Sequence, residues 1–341
     1  MRQRDPEYFE DTIRMSPTTF DLLLSKVNHR LEKFSFRKPI SLSCRLFLTL
    51  MYLAHGTPVA ILARLFKIGE STVRNITLEV CQVLWDVLKQ EYMPVPTEQD
   101  WRKYAEEFYE KWNFPNCCGS IDGEHIAIQC PANSGSAFFN HKGFHSIVLM
   151  AVCSANYEFL MVDIGGFGGN SDGGILSASE FGKRLLQNNL NFPRPNILPY
   201  SSVEFPFYIV GDAAFPLKNN LMRPYPGMNL PHVKDNFNTR LSIARRTIEN
   251  AFEILVARWR VLSKTIDLQP TNVVIIAEAC VILHNFLKKH TNDYISEQEG
   301  ELRSHTSPLG SVSAAELHIG NNSSRNAYRL RDVLAEYVLN Y

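Results

Sequence analysis

The sequence predicts an α/β protein preceded by an all-α region, and three observations carry that expectation. Residues 16 to 91 repeat leucine and aromatic residues at spacings of three and four, with little β-branched alternation. Three runs rich in Ile, Val and Leu then follow one another between Pro115 and Phe167, and a fourth ends at Asp212. Two long helical patterns come after them, one almost wholly apolar. At 341 residues, 45% hydrophobic and 21% charged, the chain can bury a large core and has the length of about two domains.

The elements read in order as follows. Phe20, Leu23, Leu24 and Val27 mark an early amphipathic helix. Residues 58 to 88 hold two helical patterns broken at Lys67-Ile68-Gly69, with Glu70 or Ser71 as caps for the second. Ala63 is the small residue at which two crossed helices would touch, and Leu62, Phe66, Ile68, Val73 and Ile76 fall where a helix-turn-helix needs apolar contacts. Thr72, Arg74 and Asn75 would face outward, where such a unit reads DNA, whereas an ordinary pair of packed helices would leave them merely solvated. Lys67 occupies a turn position that often carries glycine. The prolines of MPVPTEQDW set a boundary near residue 95, and Trp101, Tyr104, Phe108 and Trp112 lie on the next helix. Strands follow in CCGSIDGEHIAIQC, FHSIVLMAVCSAN and FLMVDIGGF, the last two joined as a hairpin at Ser154-Ala155-Asn156. The loop GFGGNSDGG, a helix over 177–188, the strand FPFYIVGDAAF, a helix from about Thr239 to Leu262 and the apolar helix NVVIIAEACVILHNFL complete the pattern. Residues 291 to 325 are polar without periodicity, and NAYRLRDVLAEYVLNY reads as a terminal amphipathic helix that docks back.

Charge narrows the function classes. Lys plus Arg and Asp plus Glu each number 35, so no global field draws the chain to nucleic acid or anionic lipid, and a polyanion would need a local basic patch. No uninterrupted apolar run has the length of a membrane span, and the charged start MRQRDPEYFEDT does not read as a signal peptide. The seven cysteines form no Cys-x-x-Cys pair, which argues against a disulfide framework or zinc knuckle and for a reducing compartment.

Three carboxylates stand out by position. Asp122 follows Ile121 in the first strand and precedes Gly123, and Asp212 ends the fourth strand after Tyr208-Ile209-Val210-Gly211. Acids at strand ends of an α/β sheet point toward the ligand crevice, and two close together repel unless a divalent cation neutralises them. Glu249 offers a third oxygen donor from the helix RLSIARRTIENAFEILVARWRV, in which Ile243, Ile248, Phe252, Leu255 and Trp259 line an apolar side. Arg245 and Arg246, one turn earlier, are the phosphate-binding candidates, ahead of Arg258 and Arg260. Such a set suits in-line displacement at a phosphodiester. Asp163 and Asp172 compete for a place in it. His125, His141 and His145 are the alternative, a zinc site, although their context reads loop to strand.

The blocks GSIDGEHI, FNHKGFHSIVLMAVCSANYEF, GGNSDGGI, YIVGDAAFPLKNNLMRPYPG, FNTRLSIARRTIENAFEILVARWRVL and AEACVILHNFL, in this order, resemble the DDE endonuclease domain of PIF/Harbinger transposases and of nucleases derived from them. The likeness covers residues 115 to 290, and the upstream helices resemble the family's N-terminal region. It implies an RNase H-like catalytic core over residues 96–290, behind a helical region over 1–95 and ahead of a polar tail with a terminal helix over 291–341. It also implies DNA cleavage with Mg2+ or Mn2+, and a metal-holding catalytic triad at Asp122, Asp212 and Glu249. It suggests DNA as the target and a separate Myb-like DNA-binding protein as the partner that delivers the chain to the nucleus. A second copy of the chain is a further candidate partner, and composition and cysteine usage point to nucleus with cytoplasm and no membrane. Ala213 and Glu253 depart from the family pattern, where an acid and a glycine are usual, and neither removes a triad member. The rival reading keeps the fold without the reaction: a domesticated, catalytically silent DNA-binding or scaffold protein acting through partners.

Overall fold

The computed structural model describes residues 4–32, 39–291 and 323–340. Along the chain the helices α1 (Pro6–Ile13), α2 (Pro17–Leu31), α3 (Leu42–His55), α4 (Val59–Phe66), α5 (Glu70–Tyr92) and α6 (Glu98–Trp112) come first. The strands β1 (Cys117–Ala127), β2 (Ser146–Cys153) and β3 (Phe159–Phe167) follow, then the short helices α7 (Asp172–Ala178) and α8 (Glu180–Leu186). Next are β4 (Asn196–Ile197), β5 (Glu204–Phe205), β6 (Tyr208–Val210) and β7 (Leu221–Met222), and the chain continues with α9 (His232–Arg258), α10 (Pro270–His290) and α11 (Arg325–Asn340).

Two compact units form. The first gathers the described parts of Met1–Pro94, His125–Val148 and Glu253–Arg303. Side-chain caps start several of its helices: Ser16 accepts from the Thr19 N–H and Asp5 from the Tyr8 N–H. The two patterns within residues 58–88 are α4 and α5, with Leu62, Ala63, Val73 and Ile76 buried and Phe66 and Ile68 half-buried. Gly69, rather than Glu70 or Ser71, is the N-cap of α5, and no side chain caps it. Lys67 closes α4 in the left-handed region (φ 55°), and the Ile68 N–H reaches back to the Ala63 carbonyl. Arg45 of α3 binds Glu79 of α5 at 2.7 Å and donates to the Leu31 carbonyl. Helix α10 is long and apolar enough to cross a membrane, yet Ile276, Ala277 and the residues from Ala279 to Leu287 are buried, and it packs against α5.

The second unit, Val95–Glu124, Leu149–Phe252 and the described part of Ser304–Tyr341, holds most of a five-stranded mixed sheet in the order β3-β2-β1-β6-β7. β1 and β6 run parallel, pairing Cys117 with Tyr208, Gly119 with Ile209 and Ser120 with Val210, and β6 runs parallel to β7. This is the RNase H-like α/β core that the sequence led us to expect, with local differences. The expected fourth strand is two: β5 pairs with β4 in a separate ribbon, Pro206 interrupts, and β6 alone joins the sheet. The helix over 177–188 is two helices, because Ser179 ends α7 and caps α8 by accepting from the Gly182 N–H. Helix α9 starts at His232 rather than near Thr239, since the Pro231 carbonyl already takes the Lys234 and Asp235 N–H groups. The polar stretch lies, over 292–322, outside the described residues. The terminal segment is α11, whose Ala327, Leu334 and Val338 are buried in one core with Phe237 and Leu241 of α9.

Candidate active site

The register of β1 on β6 decides where the first two acids stand. Ser120 pairs with Val210 in parallel strands, so Asp122 and Asp212, each two residues further along, reach the same level on adjacent strands. Gly211 is required between them: a Cβ there would lie 2.7 Å from the Phe215 ring and 3.0 Å from Ile121. Asp122 Oδ1 accepts the Gly123 N–H at 2.8 Å, and Asp212 Oδ1 accepts the Ala214 N–H at 2.9 Å. Arg223 supports the second turn by donating to the Ala213 and Phe215 carbonyls.

A third carboxylate arrives from α7. Ser171 caps this helix, which places Asp172 in its first turn, and Gly173 permits the approach: a Cβ there would stand 2.9 Å from the Ala214 carbonyl oxygen. Carboxylate oxygens of Asp122, Asp172 and Asp212 all lie within 4.8 Å of one another, each residue half-buried. Of the two competitors, Asp172 thus joins the set. Asp163, on β3, stays outside it, with its carboxyl raised by burial.

Glu249, on α9, shares one guanidinium with Asp122. The Ser120 hydroxyl of β1 donates to the Arg245 carbonyl at 3.1 Å, and the Cys153 thiol of β2 reaches the Thr247 hydroxyl, which together seat α9 on the sheet. Arg245 Nη1 lies 3.0 Å from Asp122 Oδ2, and Nη2 lies 2.6 Å from Glu249 Oε1. Burial is the largest influence on Asp122 and pushes its carboxyl up to about 8; Asp212 adds to that, and Arg245 and the Gly123 N–H oppose it. Burial acts against the charge of Arg245, but Glu249, Asp122 and Asp212 outweigh it and hold the guanidinium above its ordinary value.

The other expected residues are placed as follows. Arg246 is exposed, one position round the helix from Arg245, and Ile243, read as part of the apolar side of α9, is also exposed because that side is carried by Ala244, Ile248 and Leu255 instead. Arg258 is turned to the Arg14 carbonyl. On α5, Thr72, Arg74 and Asn75 are exposed, and Arg74 sits 3.4 Å from Glu70. His125 and His141 stack edge to face at 5.6 Å, and His125 Nδ1 bonds the Ser146 hydroxyl at 2.8 Å. Among the described residues, no histidine or cysteine joins a set of three metal donors. The oxygen-only set therefore fits a hard divalent cation such as Mg2+ or Mn2+ rather than zinc.

Carboxylates at one level on adjacent parallel strands, with a further acid on a helix packed over them, stand on an RNase H-like α/β core. Residues 121–285 match the family described as DDE superfamily endonuclease, and residues 38–90 match the helix-turn-helix of DDE superfamily endonuclease. Both matches are therefore to parts of one class of protein, in the order helix-turn-helix and then endonuclease. It is similar to an Arabidopsis thaliana protein named ALP1-like, with 29% identity over 86% of this chain and 74% of that one. A second Arabidopsis thaliana protein, antagonist of like heterochromatin protein 1, is 27% identical over 86% of this chain and 76% of its own length. Human HARBI1, whose name makes it a candidate nuclease, is 23% identical over 66% of this chain and 61% of its own. No solved structure matches the chain.

Proposed function

We propose that this protein is a divalent-metal-dependent DNA endonuclease of transposase type, with Asp122, Asp212 and Glu249 as its catalytic and metal-holding carboxylates. The observation that carries the reading is the convergence within 4.8 Å of Asp122, inside β1, and Asp212, just beyond β6, with Asp172 of α7. When bound, a pair of Mg2+ or Mn2+ ions would activate the attacking water and stabilise the leaving oxygen of an in-line displacement. The chain's own residues supply the rest. Asp122 and Asp212 present hard oxygens from a rigid sheet, Glu249 adds one from α9, and Arg246 offers an exposed cation for the phosphate backbone. Thr72, Arg74 and Asn75 form the outward face of the helix-turn-helix and contact the duplex. With no net charge, the chain binds DNA weakly alone, with an affinity of roughly 10⁻⁴ to 10⁻⁶ M for non-specific sites. A Myb-like partner supplies sequence recognition and delivery to the nucleus.

The test is nicking of a supercoiled plasmid by the full chain with Mn2+, against an EDTA control. Asp122→Asn, Asp212→Asn and Glu249→Gln should each abolish it, and wild-type rates in all three would refute the assignment. A second reading, a silent chromatin-acting scaffold, draws on the name of the second plant relative, which describes antagonism of a heterochromatin protein and no cleavage. It predicts no nicking by the wild-type chain under any divalent metal.

A further inference from the structure

Among the described residues, the site holds four acids, and a single guanidinium bridges two of them. Nη1 and Nη2 of Arg245 each take a different carboxylate, Asp122 at 3.0 Å and Glu249 at 2.6 Å. Asp122 also lies in the mutual group with Asp172 and Asp212, whereas Glu249 does not. The guanidinium thus stands between Glu249 and the other acids. Arg245 is 22% and Asp122 18% exposed, and the Ser120 hydroxyl pins the Arg245 backbone, so the Asp122 arm of the bridge belongs to the fold, while Glu249, 40% exposed, holds the outer arm.

A shared cation would compete for those same oxygens. Mg2+ demands ligand oxygens at about 2.0–2.1 Å, and an arginine cannot remain on the oxygens that an ion takes over. From this we infer that Arg245 is a displaceable counter-ion, which closes the metal-free site by holding Glu249 away from Asp122 and gives up both carboxylates when divalent metal enters. The inference rests on the metal-site reading above and deepens it. It divides loading into two stages: Asp122, Asp172 and Asp212 receive metal first, and Glu249 contributes only after the guanidinium has let go. The released fork is then free to grip a phosphate, so metal and DNA each favour the same rearranged state.

The experiment titrates Mn2+ into the full chain by calorimetry, with Arg245→Gln and Arg245→Lys beside the wild type and circular dichroism to verify folding. Lysine keeps the charge but presents one nitrogen, which cannot span two carboxylates as a guanidinium does. Both variants should bind Mn2+ more tightly, by roughly tenfold, the scale of a partner that orients a ligand. If only Arg245→Gln gains affinity and Arg245→Lys matches the wild type, the effect is a through-space field and the bridge is not a gate. Unchanged affinity in both variants, with metal bound by the wild type, overturns the gate while leaving the metal site standing. Failure of all three proteins to bind Mn2+ removes the metal site itself, and the gate with it. Should the variants misfold, the wild type alone decides: Mg2+ should shift the Arg245 Nε–H resonance in a nitrogen-correlated spectrum, and an unmoved resonance during saturation refutes displacement.

Discussion

The outward face of α5 and the carboxylate cluster both gather polar side chains, but they do so on different terms. Thr72, Arg74 and Asn75 are exposed, and the one cation among them has a solvated partner one turn away in Glu70. Their placement asks little of the fold, since exposed helix residues and exposed ion pairs are close to neutral in stability. Asp122, Asp172 and Asp212 are half-buried within 4.8 Å of each other, and the Asp122 carboxyl is pushed up to about 8. Like charges crowded in a partly desolvated place work against folding, and the chain supports them with Gly211, Gly173, Ser120 and Arg245. A fold that gathers such acids in a partly desolvated place points to function there more strongly than an exposed polar face does.

That contrast is broken or sharpened first at Asp212. Asp212→Asn should lower Mn2+-dependent nicking by more than about 100-fold, because loss of a supporting group alone costs 10- to 100-fold at metal sites. The same change removes a charge that presses on Asp122, so metal-free thermal unfolding should move upward, by about 2–4 °C for each kcal/mol relieved in a domain of 150–250 residues. A variant both inactive and clearly less stable would make Asp212 a structural residue and erase the difference between the two regions.

Gly173 tests whether the third acid belongs. A methyl group there meets the Ala214 carbonyl oxygen at 2.9 Å, so Gly173→Ala must lift α7 and carry Asp172 away from Asp212. The expected destabilisation is about 1–3 kcal/mol, with weaker Mn2+ binding measured on the same sample. Wild-type metal affinity in a destabilised variant would show that Asp172 is a bystander. On the other side of the comparison, Arg74→Ala should leave the unfolding temperature unchanged and weaken duplex DNA binding by about fivefold, near the ~1 kcal/mol lower end for a base-reading contact. Unaltered binding in a gel-shift titration would reduce α4–α5 to an ordinary helix pair.

Much of this was legible in the sequence, for reasons that can be named. Asp212 was legible because an apolar run before an acid betrays a strand end, and the helix pair because Lys67-Ile68-Gly69 interrupts an otherwise continuous period; Asp122, expected at a strand end, lies inside β1, which runs on to Ala127. Asp172 could only be named as a competitor. Its membership depends on Gly173 meeting a carbonyl 41 residues on, at Ala214, a contact that no local pattern encodes. The bridge from Arg245 was equally hidden: its i,i+4 spacing to Glu249 was in plain view, but the reach to Asp122, 123 residues away, follows only from Ser120 seating α9. The splits at Pro206 and Ser179 were signalled by residues that break or cap elements, yet they lay inside runs whose apolar period was strong.

His125 extends the comparison to acid. Burial, then Lys142 and His141, lower its ring from 6.5 to about 4, so the fold keeps it neutral. A base whose folded value is depressed contributes stability that is whole above its unfolded value and lost as pH falls through the folded one, so the loss runs from about pH 6.5 down through 4. Urea midpoints of the full chain at pH 7.5 and 4.5 should therefore differ, and His125→Gln should narrow that difference. Equal pH dependence in the variant would place the acid sensitivity elsewhere.

The smallest expected effect lies in the turn that joins the two helices on the exposed side. Lys67 ends α4 at φ 55°, a left-handed conformation in which a Cβ crowds the backbone, and its own N–H still bonds the Arg64 carbonyl. Its side chain is exposed and appears in no ion pair among the described contacts. Glycine adopts the same conformation without that crowding, so Lys67→Gly should stabilise the protein by about 0.5–1 kcal/mol, less the extra entropy that glycine gains in the unfolded chain. If the lysine is kept for its charge, the same variant should bind DNA more weakly while resisting urea better. Stability gained without any loss of DNA binding would mean that the lysine serves neither the turn nor the duplex, and the DNA-facing surface would shrink to α5.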